Sequence, residues 1–208
     1  MKIALRVFGD IHAKFEPYIK LAQEADNSIC VGDVGFFYVD LNVLDNKRHV
    51  IVAGNHDNYD NLSHHFLGDF GVHSVAGFDI FYVRGAWSVD HKHRTPGRDW
   101  WWQEELSNRQ MNEALKAYEN FKPEFVITHD APLSVISQMD LFPLGPDFDI
   151  GPQRTPRLLE MMLNIHKPKT WIFGHFHRSW RKNIEGTDFI CLNILEHIDF
   201  DEFQKAGK

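Results

Sequence analysis

Short apolar runs alternate along this chain with segments whose apolar residues recur every three or four positions. A strand at about 2–8 leads into a helix at about 15–25, and further strands follow near 28–31 and 48–53. A helix is predicted to begin after Asn58, with Leu62 and Phe66 four residues apart on one face. Ile80-Phe81-Tyr82-Val83 reads as a strand after the turn Gly77-Phe78-Asp79. Residues 107–119 read as a helix capped by Ser107, with Met111, Leu115 and Tyr118 at helical spacing. A strand at 124–128 follows, then an irregular stretch at 140–153 containing Pro143, Gly145, Pro146, Gly151 and Pro152. Thr155-Pro156 is expected to open the next helix, with Thr as its cap and Pro in its first turn. That helix carries Leu158, Leu159, Met162 and Leu163 and stops before Pro168. The strand at 170–173 and a hairpin turning at 184–187 into 189–192 complete the pattern, and 201–208 read as a frayed tail. Alternating strands and helices mark an α/β fold. With 208 residues and no internal repeat, the chain is read as a single domain spanning 1–208.

The residues that follow the apolar runs carry the chemistry. Five segments end in oxygen or nitrogen ligands: Gly9-Asp10-Ile11-His12, Gly32-Asp33, Gly54-Asn55-His56-Asp57, Thr128-His129 and Gly174-His175-Phe176-His177. In an α/β sheet such positions fall at the carboxyl ends of strands, where ligands bind. Asp10 and His12 are two apart and point the same way in an extended segment, and His175 and His177 repeat that spacing. Asp33 is a lone carboxylate placed to bridge two ions, Asn55 offers an amide oxygen, and His129 offers a nitrogen. Seven ligands exceed what one tetrahedral ion takes and suit two ions sharing a bridge. The set has oxygen and nitrogen but no sulfur, which favours manganese, with iron, zinc or nickel as alternatives, over calcium. The charge of two divalent ions exceeds that of two aspartates, leaving room for a bridging hydroxide and a phosphodiester anion. Ions about 3.5–4 Å apart activate water and clamp phosphate oxygens for in-line attack. A glycine before a ligand lets the chain turn sharply at a crowded site.

Composition narrows the picture further. The formal net charge of −7 weighs against a broad electrostatic grip on nucleic acid. The 13 histidines are the unusual count, and five of them lie in the segments above. Cys30 and Cys191 sit inside apolar runs and form no CxxC pair, so they read as buried, reduced thiols. No apolar run approaches the ~20 residues that cross a bilayer, and the start does not read as a signal peptide. A soluble, cytoplasmic protein without a membrane partner is therefore expected.

The ordered set DxH, GD, GNH[DE], a lone His and GHxH resembles the calcineurin-like metallophosphoesterase superfamily, from residue 9 to residue 177. The resemblance implies a four-layer α-β-β-α sandwich with a dinuclear metal site at the strand carboxyl ends. It assigns one ion to Asp10, His12, Asp33 and His177, and the other to Asp33, Asn55, His129 and His175, with Asp33 bridging. It makes His56 the general acid that protonates the leaving oxygen. Asp57 either steadies His56 or caps a helix after it. A narrower resemblance is to short bacterial and phage metallophosphoesterases, through Arg84-Gly85-Ala86, Arg94-Thr95-Pro96-Gly97 and Trp100-Trp101-Trp102-Gln103-Glu104-Glu105. Two subfamilies are disfavoured. Protein Ser/Thr phosphatases carry GDxVDRG where this chain has Gly32-Asp33-Val34-Gly35-Phe36-Phe37, and purple acid phosphatases place a metal-binding Tyr where Phe36 stands.

Residues 84–105 read as an insertion or loop near the active site. Arg84, Arg94 and Arg98 are placed to bind phosphate oxygens and Trp100–Trp102 to stack on a base, or else the segment is a packed loop. Arg98 and Arg84 are taken as the substrate contacts. Asp130 either orients a metal ligand or caps the turn before Pro132. The expected function is phosphodiester hydrolysis by two-metal activated hydroxide with His56 as acid, on a small phosphoester or nucleotide. A phosphomonoester or nucleotide pyrophosphate substrate is the alternative, and a nuclease or a non-catalytic scaffold of the same fold is less favoured.

Overall fold

The computed structural model describes residues 3–141, 149 and 151–201. The described strands are β1 (Leu5–Phe8), β2 (Ser28–Cys30), β3 (His49–Ile51), β4 (Phe70–Val75), β5 (Phe78–Val83), β6 (Phe125–Thr128), β7 (Thr170–Phe173), β8 (Trp180–Ile184), β9 (Thr187–Cys191) and β10 (His197–Phe200). The helices are α1 (Phe15–Gln23), α2 (Asn108–Phe121), α3 (Leu133–Ile136) and α4 (Arg154–Ile165). One sheet has the order β10-β1-β2-β3 and the other β4-β5-β6-β7-β9-β8. β1 to β3 are parallel, as are β5, β6, β7 and β9, and the antiparallel strands β4, β8 and β10 lie at edges.

The register explains the layering. Tyr82, Ile127, Ile172 and Ile190 stand side by side across β5, β6, β7 and β9, and their neighbours Phe81, Val126, Trp171 and Phe189 form the adjacent row. Successive residues point to opposite faces, so the two rows bury on opposite sides. The isoleucine row meets Leu5, Val7, Ile29, Val31, Val50 and Val52 of the smaller sheet. The aromatic row meets Ala114 and Tyr118 of α2 and Leu158, Leu159 and Met162 of α4. On the far side, Phe8, Cys30 and Ile51 pack on Tyr18 and Ala22 of α1. The result is the expected α-β-β-α sandwich. Cys30 and Cys191 are buried and free, and burial pushes both thiols up. Among the described residues no helix is long and apolar enough to cross a membrane.

Several local expectations are corrected. Residues 58–66 form turns, not a helix, because the Asn58 side chain accepts the Asp60 N–H at 3.2 Å and competes with helical pairing. Phe66 instead bridges to Ile51, and both Leu62 and Phe66 still pack beside α1. The strand β4 was hidden by Gly71, His73 and Ser74, and the hairpin turns at Ala76-Gly77, leaving Phe78 and Asp79 inside β5. β10 alternates only two apolar residues with polar ones, and α3 is four residues long, too short to show helical spacing. Ser107 caps α2 in a capping box with Gln110, as expected. Thr155 does not cap α4, because the helix begins one residue earlier. The buried Glu105 carboxylate does so from a distant segment, accepting the Thr155 N–H at 2.9 Å and its hydroxyl at 3.3 Å. Most of the irregular 140–153 stretch and all of the tail beyond residue 201 lie outside the described residues.

Candidate metal centre

The carboxyl ends of β1, β2, β3, β6 and β7 converge at one edge of the sandwich, and their loops deliver the predicted ligands together. Ligand atoms of Asp10, His12, Asp33 and His177 lie within 4.8 Å of one another, as do those of Asp33, His129 and His175. Asp33 belongs to both clusters. The Asn55 Oδ1 joins the second, 3.1 Å from His129 Nε2. The two clusters sharing a carboxylate form a candidate site for two divalent ions.

The donor set fits such ions. Asp10, Asp33 and His129 are buried, and buried carboxylates demand compensating positive charge. The His129 ring donates from Nδ1 to the Val31 carbonyl at 2.8 Å, which leaves Nε2, facing Asp33 Oδ1 at 3.2 Å, as the atom that an ion would take in place of a proton. His12 and His177 aim their Nε2 atoms at each other, 2.7 Å apart, with Asp10 Oδ2 3.2 Å from the latter. Burial pushes Asp33 up, but the nearby His129 outweighs it and holds Asp33 well below the usual carboxylate range. Asp10 is likewise lowered: burial raises it, and hydrogen bonds from His12 and His177 prevail. Burial opposes charge on His129, yet Asp33 and Asp10 raise it to about 10. His175 is lowered to about 3, by burial first and then by His129, so its imidazole is a neutral donor. Protons on His129 here stand where cationic charge is needed, and divalent ions satisfy the same carboxylates.

The backbone is bent to make this set. His12, Asp33, His175 and His177 all adopt left-handed φ values of 46°, 50°, 66° and 51°. Gly54 has a different role: a Cβ there would stand 2.2 Å from Asp33 Oδ1 and 2.6 Å from His129 Cε1, so only glycine lets the third loop pass. Asp57 fastens the same loops. Its carboxylate accepts the N–H groups of Gly54 at 2.7 Å, Asp33 and Val34 at 3.0 Å, and Gly35 at 3.4 Å. Burial and the Asp33 charge push it up to about 8, against the pull of those donors. No helix follows for it to cap.

His56 lies at the rim. Its N–H donates to Asp33 Oδ1 at 2.7 Å, and its ring stands 5.2 Å edge-on to His12 and 6.4 Å from Phe36. Burial lowers its pKa, and Arg94 lowers it further. Arg94 Nη2 is 2.6 Å from His56 Nε2 and is itself held by Asp90 at 2.7 Å. Of the three arginines in the 84–105 segment, Arg94 is the one the fold brings to the centre. Arg84 is buried elsewhere, paired with Asp69 at 2.6 Å, donating to the Gln103 carbonyl and lying over the Tyr59 ring. Arg98 is exposed and pairs with Asp99 at 2.8 Å. The one hint in the chain for Arg94 is Asp90 four residues before it.

The tryptophans divide. Trp100 and Trp101 are buried, and Trp102 is 75% exposed. Trp101 donates to Asp60 at 2.8 Å and packs 5.5 Å from Phe36. Asp130 is buried and accepts the Ala131 N–H at 2.8 Å, closing the turn after β6, with burial raising its carboxyl to about 7.

A family model described as calcineurin-like phosphoesterase matches residues 3–179. No curated protein matches the chain. Among solved structures, the chain is similar to phosphopantetheinyl hydrolase from Mycobacterium tuberculosis, at 12% identity and a TM-score of 0.51, covering 99% of this chain and 93% of that one. It is also similar to vacuolar protein sorting 29 from Cryptosporidium parvum, at 14% identity and a TM-score of 0.42, covering 93% and 76%. At these identities the likeness concerns the fold.

Proposed function

The chain belongs to the calcineurin-like phosphoesterase family, and from that premise we propose that it is a metal-dependent hydrolase of phosphodiester bonds. The observation that carries this reading is the pair of Asp/His clusters joined at Asp33, with His56 and Arg94 at their rim. Asp10, His12, Asp33 and His177 would hold one ion, and Asp33, Asn55, His129 and His175 the other. Two divalent ions, manganese foremost, supply an activated water and neutralise phosphate oxygens when bound. The rest is the work of side chains. Arg94, anchored by Asp90, gives its guanidinium to a non-bridging phosphate oxygen, a stronger acceptor than a neutral imidazole. That transfer frees His56 Nε2 to take up a proton from solvent and deliver it to the leaving oxygen. Asp57 keeps the Asp33 and Asn55 loops in register while this happens. A leaving-group acid suits an ester whose alkoxide must be protonated as it departs, and a rim open beside it leaves room for the second ester group of a diester. Arg84 and Arg98 leave the list of proposed substrate contacts, because their partners hold them away from His56.

The test is reconstitution. The protein is stripped of metal, supplied with Mn²⁺, Ni²⁺ or Zn²⁺, and assayed on a chromogenic diester and monoester in parallel. Metal-restored hydrolysis favouring the diester supports the reading. Preference for the monoester would reassign the substrate, and no restored hydrolysis of either would remove the enzyme reading in favour of a scaffold.

A further inference from the structure

The carboxylate of Glu104 lies buried in the tryptophan-rich segment, outside the five ligand-bearing motifs, and a chain of hydrogen bonds connects it to the centre. Asn55 Nδ2 donates to Ser88 Oγ at 3.0 Å, and the Ser88 hydroxyl donates to Glu104 Oε2 at 2.5 Å. The other Glu104 oxygen accepts the Trp101 N–H at 3.1 Å. Asn55, Ser88 and Glu104 are all buried, at 3%, 1% and 2% exposure. Gly85 makes the approach possible. Its N–H donates to the Ala53 carbonyl at 2.8 Å, and a Cβ there would stand 1.9 Å from the Glu104 carbonyl oxygen.

We propose that Ser88 and Glu104 are positioning residues that turn the Asn55 amide so that its oxygen faces the ion held with Asp33, His129 and His175. This rests on the reading of Asn55 as a ligand of that ion. The argument is one of polarity. An amide presents an acceptor at one end and two donors at the other, and a half-turn about its last bond would aim N–H groups at a cation. As a carboxylate Glu104 accepts at both oxygens, so the Ser88 hydroxyl proton points to it and the Ser88 lone pairs face Asn55. Burial raises its pKa to about 8, while the hydrogen bonds from Ser88 and the Trp101 N–H favour the charged form. Only the Asn55 NH₂ group complements those lone pairs, and Oδ1 is left to face His129 Nε2. A buried acid carries a desolvation cost that a neutral residue would not. The segment that reads as a loop beside the site is thus wired to one ligand of one ion.

The experiment is calorimetric titration of Mn²⁺ into the metal-stripped full chain, for the wild type and for Asn55→Ala, Ser88→Ala, Glu104→Gln and Trp102→Ala. Two binding steps are expected in the wild type, with Asn55→Ala identifying the step that uses the amide. Ser88→Ala and Glu104→Gln should weaken that same step about 10- to 100-fold, the usual range for partners that orient a metal ligand. The other step stays as it was, and exposed Trp102→Ala changes neither. Adding Ser88→Ala to Asn55→Ala should bring little further loss, since the relay then has nothing to orient. Unchanged affinity in Ser88→Ala overturns the proposal, and so does an equal loss of both steps or full additivity in the double variant. Loss in Ser88→Ala but not in Glu104→Gln would remove Glu104 from the role. A single step in the wild type would instead refute the two-ion reading, and the wild type alone reveals it.

Discussion

Arg94→Met keeps the aliphatic stem and removes the charged head next to His56. The side chain is 9% exposed, with its guanidinium between Asp90 and His56 Nε2, so water replaces it poorly there. A hydrogen bond to a charged acceptor contributes about 1.5–3 kcal/mol. With a tenfold rate change per 1.36 kcal/mol, losing it from a phosphate oxygen lowers kcat/KM roughly 10- to 150-fold. Asp90 is one-third exposed and can be hydrated once its partner is gone, so stability should fall by less than about 1 kcal/mol. The assay is kcat/KM on diesters with good and poor leaving groups, alongside metal content and a thermal melt. A contact to a non-bridging oxygen predicts equal losses for both leaving groups. A value within about threefold of wild type, less than ~0.7 kcal/mol, with metals retained would refute the phosphate contact.

His56→Ala should slow diesters with poor leaving groups far more than those with good ones while metal content stays intact, and an equal loss on both would argue against the acid role. Asp33→Asn should lower the occupancy of both ions as well as the rate, measured by elemental analysis; full occupancy of both would refute the shared carboxylate. Asp130 has a folded pKa of about 7 against an ordinary 3.8, so the stability it contributes is complete below the ordinary value and is lost as pH rises through about 7. In the metal-free protein, Asp130→Asn should therefore shrink the fall in Tm between those two pH values, and an unchanged slope would contradict it.

The strand runs and the ligands after them were legible because both are local. A continuous apolar run such as Ile80 to Val83 marks a strand buried on both faces without knowledge of the partner strand, and a glycine followed by a ligand marks a strand end directly. Their convergence followed from the order of segments. What escaped depends on contacts distant in sequence. Glu105 caps α4 from 50 residues away, so Thr155 looked like the better cap. Choosing Arg94 over Arg98 needed the path of the loop to His56, which the Asp90 spacing alone does not encode. The Leu62 and Phe66 pair has helical spacing, but the polar run from Asn58 to Asn61 supplies turn-making side chains that spacing ignores. Ser88 and Glu104 are 16 residues apart in sequence, and only the folded path of the segment between them brings them together.

His12, Asp33, His175 and His177 hold left-handed backbone conformations that cost on the order of 1–3 kcal/mol each for a residue with a Cβ. Glycine adopts them without that strain, at an entropic disadvantage of roughly 0.5–1 kcal/mol. The three apolar clusters that hold the sandwich together include none of the four. Replacing His12, His175 or His177 by glycine should therefore leave the fold as stable or more stable while deleting a ligand, whereas Asp33 also accepts the His56 N–H and balances the His129 charge. For a lineage carrying this chain, losing the chemistry is a downhill step in folding free energy, taken by one substitution at any of three places. Something other than folding has to keep these side chains in place, and a drifting copy relieved of that demand would become a sturdier, inert version of the same sandwich.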